Sequence, residues 1–190
     1  MGIRNIVYVP EPVLRKKAHK ITAFDKDLDA LIEDMIETLR AAPGVGLAAP
    51  QVGISQQLIV IEYAEIEEQK PKLYVVINPE ITKPSEEKEI GVEACLSIPG
   101  IAGEVDRHLS LTVKGLNRFG KPIKIKASGW LARIFQHEID VQHRGVAQPG
   151  RDRIDDAIGA LAEFQRTVNR ETHRRVFQKF LGKADDQHRP

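Results

Sequence analysis

Phe135-Gln136-His137-Glu138-Ile139-Asp140-Val141-Gln142-His143 is the stretch on which the reading of this chain turns. Leu131, Ile134, Phe135 and Ile139 fall at helical spacing, so the residues from Trp130 to about Asp140 are expected to form a helix with those side chains inward. The His137-Glu138 pair opens like the H-E-x-x-H helix of zinc-type hydrolases. There two His four residues apart share one face and grip one metal, and the Glu serves as general base. The place of the second His carries Val141, and the next His is His143. On a regular helix position i+4 lies ~40° from His137, whereas i+6 lies ~120° away and ~9 Å along the axis. A π-bulge absorbs one residue, not two. Three arrangements are compatible with these residues. Unwinding after Asp140 swings His143 inward; or two ligands hold the metal weakly and activity is impaired; or residues 141–151 are a local alteration.

Outward from this stretch, the chain has 190 residues, 42% hydrophobic and 29% charged, the composition of one globular domain. A formal net charge of +1 gives no global field for nucleic acid or a membrane surface. No apolar run approaches a membrane span, the N-terminus has no signal-peptide core, and Ile6 stands where a myristoylation signal needs Ser or Thr. The expected location is the cytoplasm. Cys95 is the one cysteine, which rules out an internal disulfide. A lone Cys is more often a small buried hydrophobe than a nucleophile or ligand.

Leu28, Leu31, Ile32, Met35, Ile36 and Leu39 make one apolar stripe, predicting a helix over Asp27–Leu39, capped by Thr22 or Asp25 and ended by Pro43-Gly44. Leu58–Ile61 and Leu73–Ile77 read as strands, the second broken by Asn78-Pro79, and a shorter strand is expected within Glu87–Glu93. Alternation over Leu109–Leu116 and Ile123–Ala127, across a turn at Asn117–Gly120, predicts a hairpin. Asp155 to about Leu181 reads as a further helix, with a polar tail after it. Strands lying between an early helix and two late ones predict an α+β domain, with antiparallel strands around a central metal-binding helix. The catalytic domain is expected over residues 1–165, with a basic C-terminal helix and tail over 166–190.

Three segments carry the chemistry: Gly44-Val45-Gly46-Leu47-Ala48-Ala49-Pro50-Gln51, Glu93-Ala94-Cys95-Leu96-Ser97 and Gln136-His137-Glu138-Ile139-Asp140. Taken singly, each has a plainer reading: a turn, a core cysteine, a hydrogen-bonded helical histidine. In this order they resemble the three signature motifs of the peptide deformylase family, G-x-G-L-A-A-P-Q, E-G-C-L-S (with Ala94 for Gly) and Q-H-E-I-D. The opening Pro10-Glu11-Pro12-Val13-Leu14-Arg15 and the Asn78-Pro79 pair belong to the resemblance, which runs from about Val7 to Ile154. After Asp140 the family continues H-L-x-G-V; this chain has Val141-Gln142-His143-Arg144-Gly145-Val146 and rejoins at Asp152-Arg153-Ile154.

The resemblance implies a hydrolase that removes the formyl group from the N-terminal methionine of new polypeptides. It implies one divalent metal, Fe²⁺ first with Zn²⁺ or Ni²⁺ as alternatives, held by Cys95 and His137. Glu138 is then the general acid/base, Gln51 and the backbone N–H of Leu96 bind the developing oxyanion, and Gly46 lies beside the substrate backbone. Physical chemistry suits these roles: a thiolate ligand favours iron, zinc or nickel over magnesium, and an amide and a backbone N–H are oxyanion donors.

Arg166, Arg170, Arg174, Arg175, Lys179 and Lys183 crowd the last helix among Glu163 and Glu171. A solvated face is the plainer reading; transient docking on the ribosome is the sharper one, implied by the resemblance. A general zinc peptidase fits less well, because its motif is incomplete and it does not explain the Cys95 segment. The expected state is a monomer.

Overall fold

In a computed structural model, residues 2–66 and 69–143 are described. The chain runs α1 (Lys26–Ala41), β1 (Gly46–Ala48), β2 (Leu58–Tyr63), β3 (Lys72–Thr82), β4 (Lys88–Cys95), β5 (Ile98–His108), β6 (Ser110–Leu116), β7 (Pro122–Ser128) and α2 (Gly129–His143), with short 3-10 turns at Pro12–Arg15 and Ala49–Val52. β1, β2, β3, β6 and β7 form an antiparallel sheet in that order, and β4 and β5 form a separate two-stranded ribbon.

The position of the sheet explains why β2 is a continuous apolar run rather than an alternating one. Leu58 and Val60 face α1, packing with Leu28, Leu31, Ile32, Met35, Ile36 and Leu39. Ile59 and Ile61 face α2, packing with Ala132, Ile134, Phe135 and Ile139. A strand covered on both faces has no polar side to show. Each fully buried Leu, Ile, Met or Phe contributes roughly 1.5–3 kcal/mol. Phe135 also meets Tyr74 edge to face, with ring centroids 5.6 Å apart. α1 begins where Asp25 accepts the Leu28 N–H at 3.0 Å, satisfying one orphan donor of the first turn. Of the two expected caps, Asp25 is the one used.

Arg133 and Gln136 of α2 help fasten the ribbon to that helix. Arg133 Nη2 donates to the Glu89 carbonyl at 2.7 Å and Nη1 to the Val105 carbonyl at 2.9 Å, reaching both strands. Gly91 makes this possible: a Cβ there would stand 2.7 Å from Arg133 Cζ. Gln136 accepts from the His108 N–H and donates to the His108 carbonyl, both at 3.0 Å. The Gln of the third motif therefore anchors α2 to the end of β5.

The structure departs from the sequence expectations at four places. Gly46–Ala48, within a stretch read as a loop, is a strand paired with β2. β3 does not stop at Asn78-Pro79. Asn78 takes φ 51° and the pairing shifts between Ile77 and Glu80, so the strand bulges and continues to Thr82. β5 was not expected at all. Unwinding after Asp140 does not occur: α2 is helical from Gly129 through His143. The helix expected over Asp155–Leu181, the polar tail, and the boundary at 165/166 lie outside the described residues. Among the described residues no helix is long and apolar enough to cross a membrane.

Candidate active site

The three motifs converge because their elements do. β1 and the turn after it bring Gly46 and Gln51, the end of β4 brings Cys95, and α2 brings His137 and Glu138. Gln51 Nε2 donates to Cys95 Sγ at 3.5 Å, while its Oε1 accepts the Ala48 N–H at 2.8 Å. The amide is thus locked by its own loop, with its donor end turned to the sulfur. Cys95 is also close enough to the His137 ring to favour its charged form. Leu96 sits in the tight link between β4 and β5, where the register shifts.

The two glycines of the first motif each face a residue of another motif. A Cβ on Gly46 would stand 2.4 Å from Glu138 Oε1, and one on Gly44 would stand 3.1 Å from Leu96 Cδ1. The missing side chain at Gly46 is the space that the Glu138 carboxyl fills. Glu138 is 4% exposed, and its Oε2 is buried with no hydrogen-bond partner among the described residues. Burial pushes its pKa up to about 7; the positive charge of His137 opposes this and the charge of Glu93 adds to it.

Behind the histidine lies a charged network. Glu93 Oε2 is 2.9 Å from His137 Nδ1. Arg107 grips the same carboxylate with Nε and Nη2, both at 2.9 Å, and Arg133 Nη1 reaches it at 3.0 Å. Arg107 Nη1 also pairs with Asp140 at 2.5 Å. Burial alone would raise the Glu93 carboxyl, but hydrogen bonds from His137 and Arg107 hold it down at about 2. An ionised carboxylate only accepts, so Nδ1 carries the proton and Nε2 is the nitrogen left for a metal or the thiol. Burial lowers the His137 pKa, and the neighbouring Cys95 and Glu93 reverse this, raising it well above the ordinary value. Glu93 lies within a motif, yet its partners come from β5 and α2, and nothing in the sequence paired them.

Val141, one turn on from His137, is 3% exposed and belongs to the apolar cluster that contains Cys95, Phe135 and Ile139. His143 is half-buried at the last described turn. Among the described residues no group of three or more His, Cys, Asp or Glu is placed to hold a metal.

Among the described residues, an α+β fold of two helices and two antiparallel sheets with Cys, His and Glu brought together beside a glycine-containing strand defines a class, the metal-dependent hydrolases. Within that class the chain belongs to the peptide deformylase family: the family model for polypeptide deformylase matches residues 3–147. A peptide deformylase of Symbiobacterium thermophilum is 51% identical over 140 residues, 74% of this chain and 63% of that protein's length. One from Dehalococcoides mccartyi is 47% identical over 140 residues, covering 81% of its length. Among solved structures, a peptide deformylase from Ehrlichia chaffeensis superposes with a TM-score of 0.75 at 34% identity, covering 87% of this chain and 98% of that one. One from Thermotoga maritima gives 0.70 at 41% identity, covering 76% and 94%. The expected family and α+β class are those found.

The family employs a catalytic divalent metal. The residues present fit it in part: Cys95 and His137 are a soft thiolate and an imidazole of suitable kind, and Glu138, next to His137 in the chain, has a buried oxygen with no hydrogen-bond partner among the described residues. At the third protein donor the fit fails, because Val141 stands there.

Proposed function

We propose that this chain is a peptide deformylase, a hydrolase that releases formate from the N-terminal formyl-methionine of new polypeptides. The observation that carries the reading is the convergence of Gln51, Cys95 and His137, with Gln51 hydrogen-bonded to the sulfur and Glu138 buried against Gly46. Glu138, poised at about 7, takes a proton from the attacking water and returns it to the leaving amine. The Gln51 amide and the Leu96 N–H donate to the oxygen of the formyl group as it gains charge. β1 is an edge strand of its sheet among the described residues, so its free side suits an extended peptide backbone beside Gly46.

When bound, a divalent ion supplies an acidic water and polarises the formyl oxygen. Cys95 and His137 are the two residues that would hold it, with Fe²⁺ first, then Zn²⁺ or Ni²⁺. The substrates are N-formyl-methionyl peptides. Location in the cytoplasm, a monomeric state, and transient ribosome contact through the basic residues after 165 complete the reading. Ribosome association should weaken with salt and vanish when residues after 165 are deleted.

The test is formate release from a formyl-Met peptide by protein prepared without oxygen and supplied with Fe²⁺ or Ni²⁺, beside a Glu138→Gln control. Release that disappears in the control supports the reading. No release from the folded protein would mean that the fold persists here without its chemistry, the second reading that Val141 favours.

A further inference from the structure

The geometry points to a metal site to which the described residues bring two protein donors, Cys95 and His137, with Val141 filling the place of the third. The inference rests on the deformylase reading only for the kind of ion, a divalent transition metal. Because α2 is helical from Gly129 to His143, residue 141 lies one turn beyond His137 and ~40° from it around the axis, on the same face. That face is the one turned to the site: it carries His137, whose Nδ1 stands 2.9 Å from Glu93, and Val141 is buried on it, 3% exposed. His143 lies ~120° from His137 on the same unbroken helix, so it does not substitute. No trio of ligating side chains exists among the described residues to make up the loss.

Two donors leave most of the coordination sphere to water or small anions, and the ion escapes readily to a chelator. The remaining machinery is intact, with the Nε2 face of His137 fixed by Glu93 and the sulfur held by Gln51. The deficit is therefore confined to one side chain. An imidazole at 141 should restore a three-donor site without other change.

The experiment is Co²⁺ binding to the full chain without oxygen, followed by the thiolate-to-cobalt absorption band and competed with a chromophoric chelator. The wild type should bind weakly, with a band lost in Cys95→Ser and His137→Ala. His143→Ala should leave the affinity unchanged, as should His173→Ala and His188→Ala. Val141→His should tighten binding on the order of a hundredfold, one added ligand's share of a site's affinity. The inference is overturned if His143→Ala, His173→Ala or His188→Ala weakens binding as much as His137→Ala. It is also overturned if folded Val141→His shows no gain, or if millimolar Co²⁺ gives no Cys95-dependent band. The histidine-to-alanine arms decide the matter even where Val141→His does not fold. Formate release plays no part in this measurement. A chain that binds Co²⁺ weakly through Cys95 and His137 but releases no formate sinks the deformylase reading and leaves the inference standing. Formate release from a tight site that needs His143 does the reverse.

Discussion

Glu93 accepts from His137 Nδ1 at 2.9 Å while Arg107 grips both of its oxygens, so one buried carboxylate orients the histidine and pairs with two arginines. Glu93→Gln keeps the shape and removes the charge. Breaking a buried ion pair from one side costs about 3–5 kcal/mol, and urea unfolding near neutral pH should show a loss of that order. The sign with pH follows from a carboxyl held at about 2 against an ordinary 4.5. Its contribution is full above about 4.5 and is lost as pH falls toward 2, so the variant should lose less stability than the wild type over that interval.

Gly46→Ala places a methyl where the Glu138 carboxyl stands. Overpacking a closed core costs about 1–3 kcal/mol, and the carboxyl must shift to relieve it. Thermal unfolding should record the destabilisation. Formate release per folded molecule should drop by about a hundredfold, the loss that a misplacement of about 1 Å can cause. Unchanged turnover would remove Glu138 from the proposed chemistry or show that it has room to move.

The pKa of Glu138 is displaced the other way, to about 7 from 4.5. A raised folded-state pKa makes the associated stability complete below about 4.5 and lost as pH rises through about 7. In metal-free protein this loss is on the order of 3 kcal/mol. Glu138→Gln should abolish that part of the slope, and a difference of unfolding free energies between pH 5 and pH 8 measures it. Parallel curves for the two proteins would show that the carboxyl is not displaced.

Gln51→Ala leaves the buried Ala48 N–H without its acceptor. An unsatisfied buried donor costs about 1–3 kcal/mol. If the amide also serves the oxyanion, kcat should fall with KM little changed. A KM effect alone would assign Gln51 to loop shape.

Much of this architecture is written locally. The stripe from Leu28 to Leu39 and the alternation of β6 and β7 each follow from one buried face, so periodicity reveals them. β5 follows no such rule. Pro99, Gly100 and Gly103 interrupt it, and its side chains are mostly exposed or half-buried because it pairs with β4 alone. Asn78-Pro79 reads as a stop, yet Asn78 hydrogen-bonds both the N–H and the carbonyl of Ile21, which makes the bulge a joint with a distant segment. The residues of the candidate site were visible as motifs. The Glu93–Arg107–Arg133 network was not, because it is made by three elements meeting and no local pattern encodes such a meeting.

Cys95 is the only thiol in the chain, 6% exposed and covered by side chains from β1's turn and from α2. Its rate of alkylation by a thiol reagent is therefore a clock for opening of the fold. Slow labelling reports global unfolding, and faster labelling at unchanged global stability reports local detachment of α2.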